Sequence, residues 1–326
     1  MKEYQNMHKN FIVFEESRLD KFLSEKLGES RNQIEQLIKK EYVKVDDKII
    51  TKTGYKLKEN QDILVELPEV EESISFDVDF DVEIIYEDEH ILVVNKPYNL
   101  VVHPAASVKE PTLVDWLKTK DISLSTISGE ERHGIVHRLD KGTSGVMVVA
   151  KTNEAHVALS KQLEDKTMGR YYLAIIDMPL KDNIVIDRPI ARNPNNRLKM
   201  GIVEKGKNAK TAFAKIDISK DEKYELICCK LFTGRTHQIR VHLNSINRHI
   251  LGDNLYGFKG ELNKINRFYL HAFNLYLIHP ITNEKMDFKA NITNDINKFL
   301  NENFNMETIN DKMDKNFIRS AFNFID

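Results

Sequence analysis

The stretch His133–Ala150, HGIVHRLDKGTSGVMVVA, constrains this chain more than any other. A charged turn with His137, Arg138, Asp140 and Lys141 leads into Gly142, Thr143, Ser144 and Gly145. The apolar run Val146-Met147-Val148-Val149-Ala150 follows at once. That run reads as a fully buried strand, with helix left open by periodicity alone. A buried strand leaving a Gly-flanked loop holds its neighbours rigidly. An Asp pinned in such a loop beside an Arg is a candidate for chemistry.

Arg138 lies two residues from Asp140 and carries a permanent charge. A nearby cation favours the carboxylate form, and an ionised carboxylate can act as nucleophile or base without a cofactor. A structural ion pair that closes a turn has the same appearance, and Arg-x-Asp alone favours that plainer reading.

A longer comparison reverses the balance. His137-Arg138-Leu139-Asp140-Lys141-Gly142-Thr143-Ser144-Gly145 resembles the HRLDxxTSG motif of the RluA/RluD-type pseudouridine synthases, which isomerise uridine to pseudouridine in ribosomal and transfer RNA. The resemblance implies that Asp140 is the catalytic residue. A second motif, Gly234-Arg235-Thr236-His237-Gln238-Ile239-Arg240-Val241-His242, matches the family's GRTHQIRVH. It implies that Arg235 pairs with Asp140 and that Arg240 lies near the site or the RNA backbone. In Arg170-Tyr171-Tyr172-Leu173-Ala174 the family pattern Lys/Arg-x-Tyr-x-Ala makes Tyr172 the ring that packs on the target base. A base lifted from its helix needs such a face, worth about 1–3 kcal/mol. Alternation along a strand would bury only one of Tyr171 and Tyr172. Further likeness lies in YEDEHILVVNKPYNLVVHP, with its Asn95-Lys96-Pro97, and in the Gly252–Gly257 loop.

Residues 17–68 read as a separate module. Leu19, Phe22, Leu23 and Leu27 fall at helical spacing, with Gly28 placed to end that helix. Ser30-Arg31-Asn32-Gln33 has the form of a capping box before Ile34, Leu37 and Ile38. The segment resembles the S4-like RNA-binding domain. That likeness makes Arg31, Lys39, Lys40 and Lys44 candidates for RNA contact; a solvated charged face is the plainer account. Residues 69–83 read as an acidic linker, 84–291 as the catalytic domain and 292–326 as a C-terminal tail. The tail has helical spacing and no assigned role. The implied fold class is α+β, a mostly antiparallel mixed-sheet synthase domain plus the small N-terminal α/β module.

Charge is unevenly placed. The 326 residues carry a formal net charge of −2, yet residues 69–90 hold ten acidic side chains and no Lys or Arg. The remainder is net basic, which fits contact with nucleic acid by part of the chain. Residues 188–215 hold eight Lys/Arg and one acid, Glu204. They read as a loop between strands, with Arg192, Arg197 and Lys199 as candidate phosphate contacts and an ordinary solvated loop as the plainer account. Cys228 and Cys229 are adjacent, the wrong spacing for a zinc knuckle or a redox pair. His133 and His137 lack the Glu of a zinc helix, and Gly134 lies between them. No metal or other cofactor is expected. No secretory signal or apolar membrane run is visible, so a reduced, cytoplasmic protein is expected, acting as a monomer.

The resulting expectation is an RNA pseudouridine synthase. Its partner is structured RNA, 23S ribosomal RNA first and transfer RNA second. The rival from another class is a non-catalytic RNA-binding or ribosome-assembly factor, whose mark would be a lost Asp140 or Arg235. A third possibility, another RNA-modifying enzyme on a similar scaffold, lacks the nucleotide-binding Gly-rich loop or methyl-donor site it would need.

Overall fold

The computed structural model describes residues 8–27, 31–66, 78–104, 108–120, 122, 124–125, 133–259 and 267–325. Gly28, Ser30, the side chain of Arg31 and most of the acidic stretch lie outside these residues. The chain divides into two compact units, residues 1–76 and 77–326. No helix among the described residues is long and apolar enough to cross a membrane.

In the first unit, β1 (His8–Ile12), β2 (Ser17–Arg18), α1 (Leu19–Leu27), α2 (Arg31–Lys39), β3 (Val43–Val45), β4 (Lys48–Ile49), β5 (Lys56–Leu57) and β6 (Asp62–Glu66) follow in order. The sheet runs β1-β6-β3-β4 and β2 pairs with β5. Leu19 and Leu23 of α1 and Ile34 and Ile38 of α2 are buried against Val43, Val45 and Ile63. These are the apolar positions that repeat at helical spacing and alternate along strands, so each element buries one face. The unit thus begins before residue 17, because β1 pairs with β6 in register from His8 opposite Glu66.

The second unit is built on one nine-stranded sheet. It opens with β7 (Glu83–Glu87), β8 (Ile91–Lys96) and α3 (Leu113–Thr119). The Thr112 hydroxyl caps α3 in a reciprocal box with Asp115. Next come β9 (Ser144–Ala150), α4 (Asn153–Asp165), β10 (Gly169–Asp177), β11 (Ile184–Asp187), β12 (Ile190–Arg192), β13 (Met200–Ile202), β14 (Lys210–Ile218) and β15 (Tyr224–Leu231). The chain closes with α5 (Gln238–Asn244), β16 (Leu270–Ile278), β17 (Lys285–Lys289), α6 (Asn294–Asn303), α7 (Met306–Lys312) and α8 (Lys315–Ser320).

The strand order is β11-β14-β15-β10-β16-β9-β8-β7, with β17 on β16. Every pairing is antiparallel except β9 with β16, through Ser144–Gly145 against His271–Ala272. Every residue of β9 is buried, as its continuous apolar run requires. Gly145 has φ +115, and a Cβ there would lie 2.2 Å from the Ala272 carbonyl oxygen. A glycine is needed where β9 leaves the Asp140 loop and closes on β16.

The sheet has two covered faces. Tyr172, Ala174 and Ile176 of β10 join the core that includes α3, α4 and α5. Tyr171, Leu173 and Ile175 face the other core, closed by Ile296, Leu300, Phe304, Ile309, Ile318 and Phe322 of the C-terminal segment. Both tyrosines are therefore buried, contrary to the alternation expectation, because residues 292–326 cover the second face. Each fully buried large apolar side chain adds about 1.5–3 kcal/mol. Cys228 and Cys229 point to opposite faces as buried free thiols. Residues 188–215 also differ from expectation. They form the β12–β13 hairpin and the start of β14, paired from Ile190 opposite Ile202.

Candidate active site

The loop after Val136 is tied down before it reaches Asp140. The His137 ring is buried, and its Nε2 accepts the Val148 N–H of β9 at 3.2 Å. Burial pushes the His137 pKa well below the usual histidine range, and the Arg170 charge pushes the same way. His137 is thus a neutral structural acceptor.

Asp140 is held from the other end of the chain. Arg240 Nη1 donates to Asp140 Oδ2 at 3.2 Å, and His237 Nε2 stands 3.9 Å from the same oxygen. Arg240 lies in the first turn of α5 and also grips Asp253, Nε to Oδ2 at 2.7 Å and Nη2 to Oδ1 at 2.8 Å. Its guanidinium carbon lies 4.2 Å from the Phe268 ring centre and 4.8 Å from that of Tyr256. A bidentate carboxylate and two rings fix the plane of the fork, so the remaining nitrogen fixes Asp140. His237 Nδ1 meets the Tyr256 hydroxyl at 2.8 Å. Burial lowers the His237 pKa against the opposing pull of Asp140. The cluster near Asp140 is therefore one arginine between two carboxylates, with a neutral histidine beside it.

Arg138, Asp140, Tyr172, Arg235 and Arg240 all line one small cavity of about 50 Å³. Arg138 and Arg235 are its exposed arginines. The cavity opens beside a cleft of about 810 Å³ and another of about 310 Å³. Tyr172 is buried; burial raises its pKa and the Arg170 charge opposes that rise.

One expected pairing is corrected. The arginine that meets Asp140 is Arg240; Arg235 gives its Nε to the Asn208 carbonyl at 2.9 Å. Arg235 precedes the left-handed turn at His237, while Arg240 follows it and is carried inward by α5. The candidate RNA contacts lie elsewhere. Arg192 is exposed and bonds the Arg197 carbonyl. Lys199 stands 5.9 Å over the Tyr256 ring. In the first unit Lys39 pairs with Glu35, Lys44 pairs with Glu66 at 2.6 Å, and Lys40 is exposed.

Several site residues carried no role in the sequence reading. Asp253, Tyr256 and Lys96 lay inside recognised motifs, and Arg170 lay in the Lys/Arg-x-Tyr pattern. Only Phe268 had no signal. Lys96 is wholly buried and donates to the Pro97 and Leu100 carbonyls at 2.8 and 2.7 Å. Burial pushes its pKa down to about 7, opposed by the charge of Asp140.

Comparison with known proteins decides the family. The profile described as RNA pseudouridylate synthase matches residues 90–245, and that of the S4 domain matches residues 17–63. A Helicobacter pylori protein described as an RNA pseudouridine synthase is 45% identical over 324 residues, 97% of this chain and 99% of its own. The chain belongs to the RNA pseudouridine synthase family. A Zymomonas mobilis relative, ribosomal large subunit pseudouridine synthase D, is 40% identical over 291 residues, 86% of this chain and 91% of its own. The solved structure of human RNA pseudouridylate synthase domain containing 1 shares the fold, with a TM-score of 0.54 at 24% identity. It covers 65% of this chain and 84% of its own. This synthase therefore has the α+β fold expected for its class, and both motifs of the sequence analysis meet at the Asp140 cavity.

Proposed function

We propose that this enzyme isomerises specific uridines in large-subunit (23S) ribosomal RNA, with Asp140 as the catalytic carboxylate. The observation that carries the chemistry is the Asp140–Arg240–Asp253 chain at the wall of a cavity that Tyr172 also lines. The substrate follows the 40% identical relative named for the large ribosomal subunit.

The reaction breaks the C1′–N1 bond, turns the uracil and joins C5 to C1′. C5 loses a proton and N1 gains one, so atoms balance without a redox partner. Asp140 acts from the ribose side. Arg240 occupies Oδ2, which leaves Oδ1 for attack at C1′ or for removal of a ribose proton. Tyr172 gives the lifted base a ring in place of its lost stack. Arg138 and Arg235, exposed at the cavity, meet the RNA beside the target base. Arg192, Arg197 and Lys199 meet phosphates beyond the cavity, and Arg31, Lys39, Lys40 and Lys44 grip structured RNA from the S4-like unit. The enzyme acts as a monomer on this reading.

The test is pseudouridine mapping of total RNA from cells lacking the gene, complemented with wild type or Asp140→Asn. A large-subunit position lost, then restored by wild type and not by the variant, is the expected result. A lost transfer-RNA position would overturn the substrate, and full rescue by Asp140→Asn would overturn the role of Asp140.

A further inference from the structure

Among the described residues, Arg170 is a buried cation with no carboxylate beside it. It lies on β10, is 8% exposed, and its Nε has no hydrogen-bond partner. Nη1 stands 3.5 Å from His137 Nδ1. Because His137 Nε2 accepts the Val148 N–H, the neutral ring carries its proton on Nδ1 and presents Arg170 with a donor. Among the described residues no carboxylate forms an ion pair with this guanidinium. A desolvated guanidinium in this state is costly until an anion meets it.

Gly234 places no side chain against that guanidinium. A Cβ on Gly234 would lie 3.2 Å from Arg170 Nη2 and 3.7 Å from Nη1. The backbone of Gly234 does not itself require a glycine, since its φ is not positive. What the missing side chain provides is access to the guanidinium. Arg170 lines both the Asp140 cavity and the adjoining 810 Å³ cleft. Among the described residues that cleft is also lined by Arg138, Lys166, Lys230 and Arg235, with Glu164 as the acid.

We propose that Arg170 and Gly234 form a phosphate subsite, which takes the phosphodiester group adjoining the target uridine. The basic cleft carries the RNA chain onward from it. This rests on the synthase reading, which places the uridine at Asp140. A phosphodiester bears a permanent negative charge and presents two oxygens to a planar fork. It supplies the anion that the buried guanidinium lacks, and it holds the flipped nucleotide by its backbone while Tyr172 holds the base.

The experiment is fluorescence anisotropy of a labelled ten-residue oligouridylate with the full chain, from low to moderate salt. Arg170→Gln should weaken binding about tenfold at low salt. It should also make the slope of log affinity on log salt shallower by about 0.7, the single-strand value for one phosphate contact. Gly234→Ala keeps the charge but covers the guanidinium, and should weaken binding by a similar factor; it also serves if Arg170→Gln does not fold. An unchanged slope in Arg170→Gln, or wild-type binding by Gly234→Ala, overturns the subsite. Turnover of the mapped RNA separates the two readings. Conversion lost with the slope intact makes Arg170 a partner of the departing base and ends the subsite. Wild-type protein that converts no uridine, with the slope still reduced in Arg170→Gln, keeps the subsite and ends the synthase reading.

Discussion

Arg240 reaches across 100 residues of sequence to hold one oxygen of Asp140, and it does so from a guanidinium already fixed by Asp253. The pairing makes Asp253 a positioning residue: it acts on Asp140 through Arg240. Asp253→Asn should lower kcat about 100-fold, the cost of about 1 Å of misplacement at a reacting group. KM should change little, since RNA contacts are untouched. Single-turnover kinetics on the mapped RNA read this directly. An unchanged kcat would show that Asp140 needs no such anchor.

On the proposed reading Tyr172 both packs the core and stacks the target base, and the substitution has to separate the two. It is 3% exposed in the core, so Tyr172→Ala would open a cavity at a cost of about 3–5 kcal/mol and confuse folding with catalysis. Tyr172→Phe should keep most activity. Tyr172→Leu keeps an apolar filling but removes the ring, and kcat/KM should fall by roughly 5- to 150-fold, matching about 1–3 kcal/mol of stacking. Equal activity of the Phe and Leu variants would leave the ring a packing group alone.

The pattern of the sequence explains which parts were legible. β8, β9 and β10 announce themselves because strands covered on both faces need long apolar runs, and β9 is buried at every position. The α1–α2 pair is equally plain, since Leu19, Leu23, Ile34 and Ile38 repeat at helical spacing. That the two motifs come together was legible in the sequence, but which arginine meets Asp140 was not. Arg235 and Arg240 lie five residues apart in one motif, and the turn at His237 decides which of them faces inward. Tyr171 failed for a different reason. Whether it is buried depends on helices more than a hundred residues later, which no local pattern reports.

Those helices carry a prediction of their own. Leu300, Phe304, Ile309 and Ile318 are at most 1% exposed against the second face of the sheet. A chain ended after Asn291 would expose Tyr171, Leu173, Ile175 and Leu226 as one apolar face, which favours aggregation. The truncated protein should bind the dye ANS strongly and lose its cooperative thermal transition. A soluble truncation with an unchanged Tm would show that the segment is dispensable for folding.

Lys96 should leave a mark on stability against pH. Its folded pKa of about 7 lies below the ordinary value of 10.5, chiefly through burial. Between those limits the unfolded chain holds a proton that the folded protein has released. Unfolding free energy therefore rises with pH in that window, by up to about 1.4 kcal/mol per unit, and is flat below it. The comparison with Lys96→Met isolates this slope, because other groups titrate alike in both proteins. Denaturant melts at pH 6, 7, 8 and 9 should show wild type gaining on the variant above pH 7. The Asp140 charge opposes the depression, so Asp140→Asn should lower the Lys96 pKa further and move the onset of the gain below pH 7. An onset that stays in place in Asp140→Asn would show that the two groups are not electrostatically coupled, and a wild-type slope equal to that of Lys96→Met would mean the buried amine keeps its proton throughout.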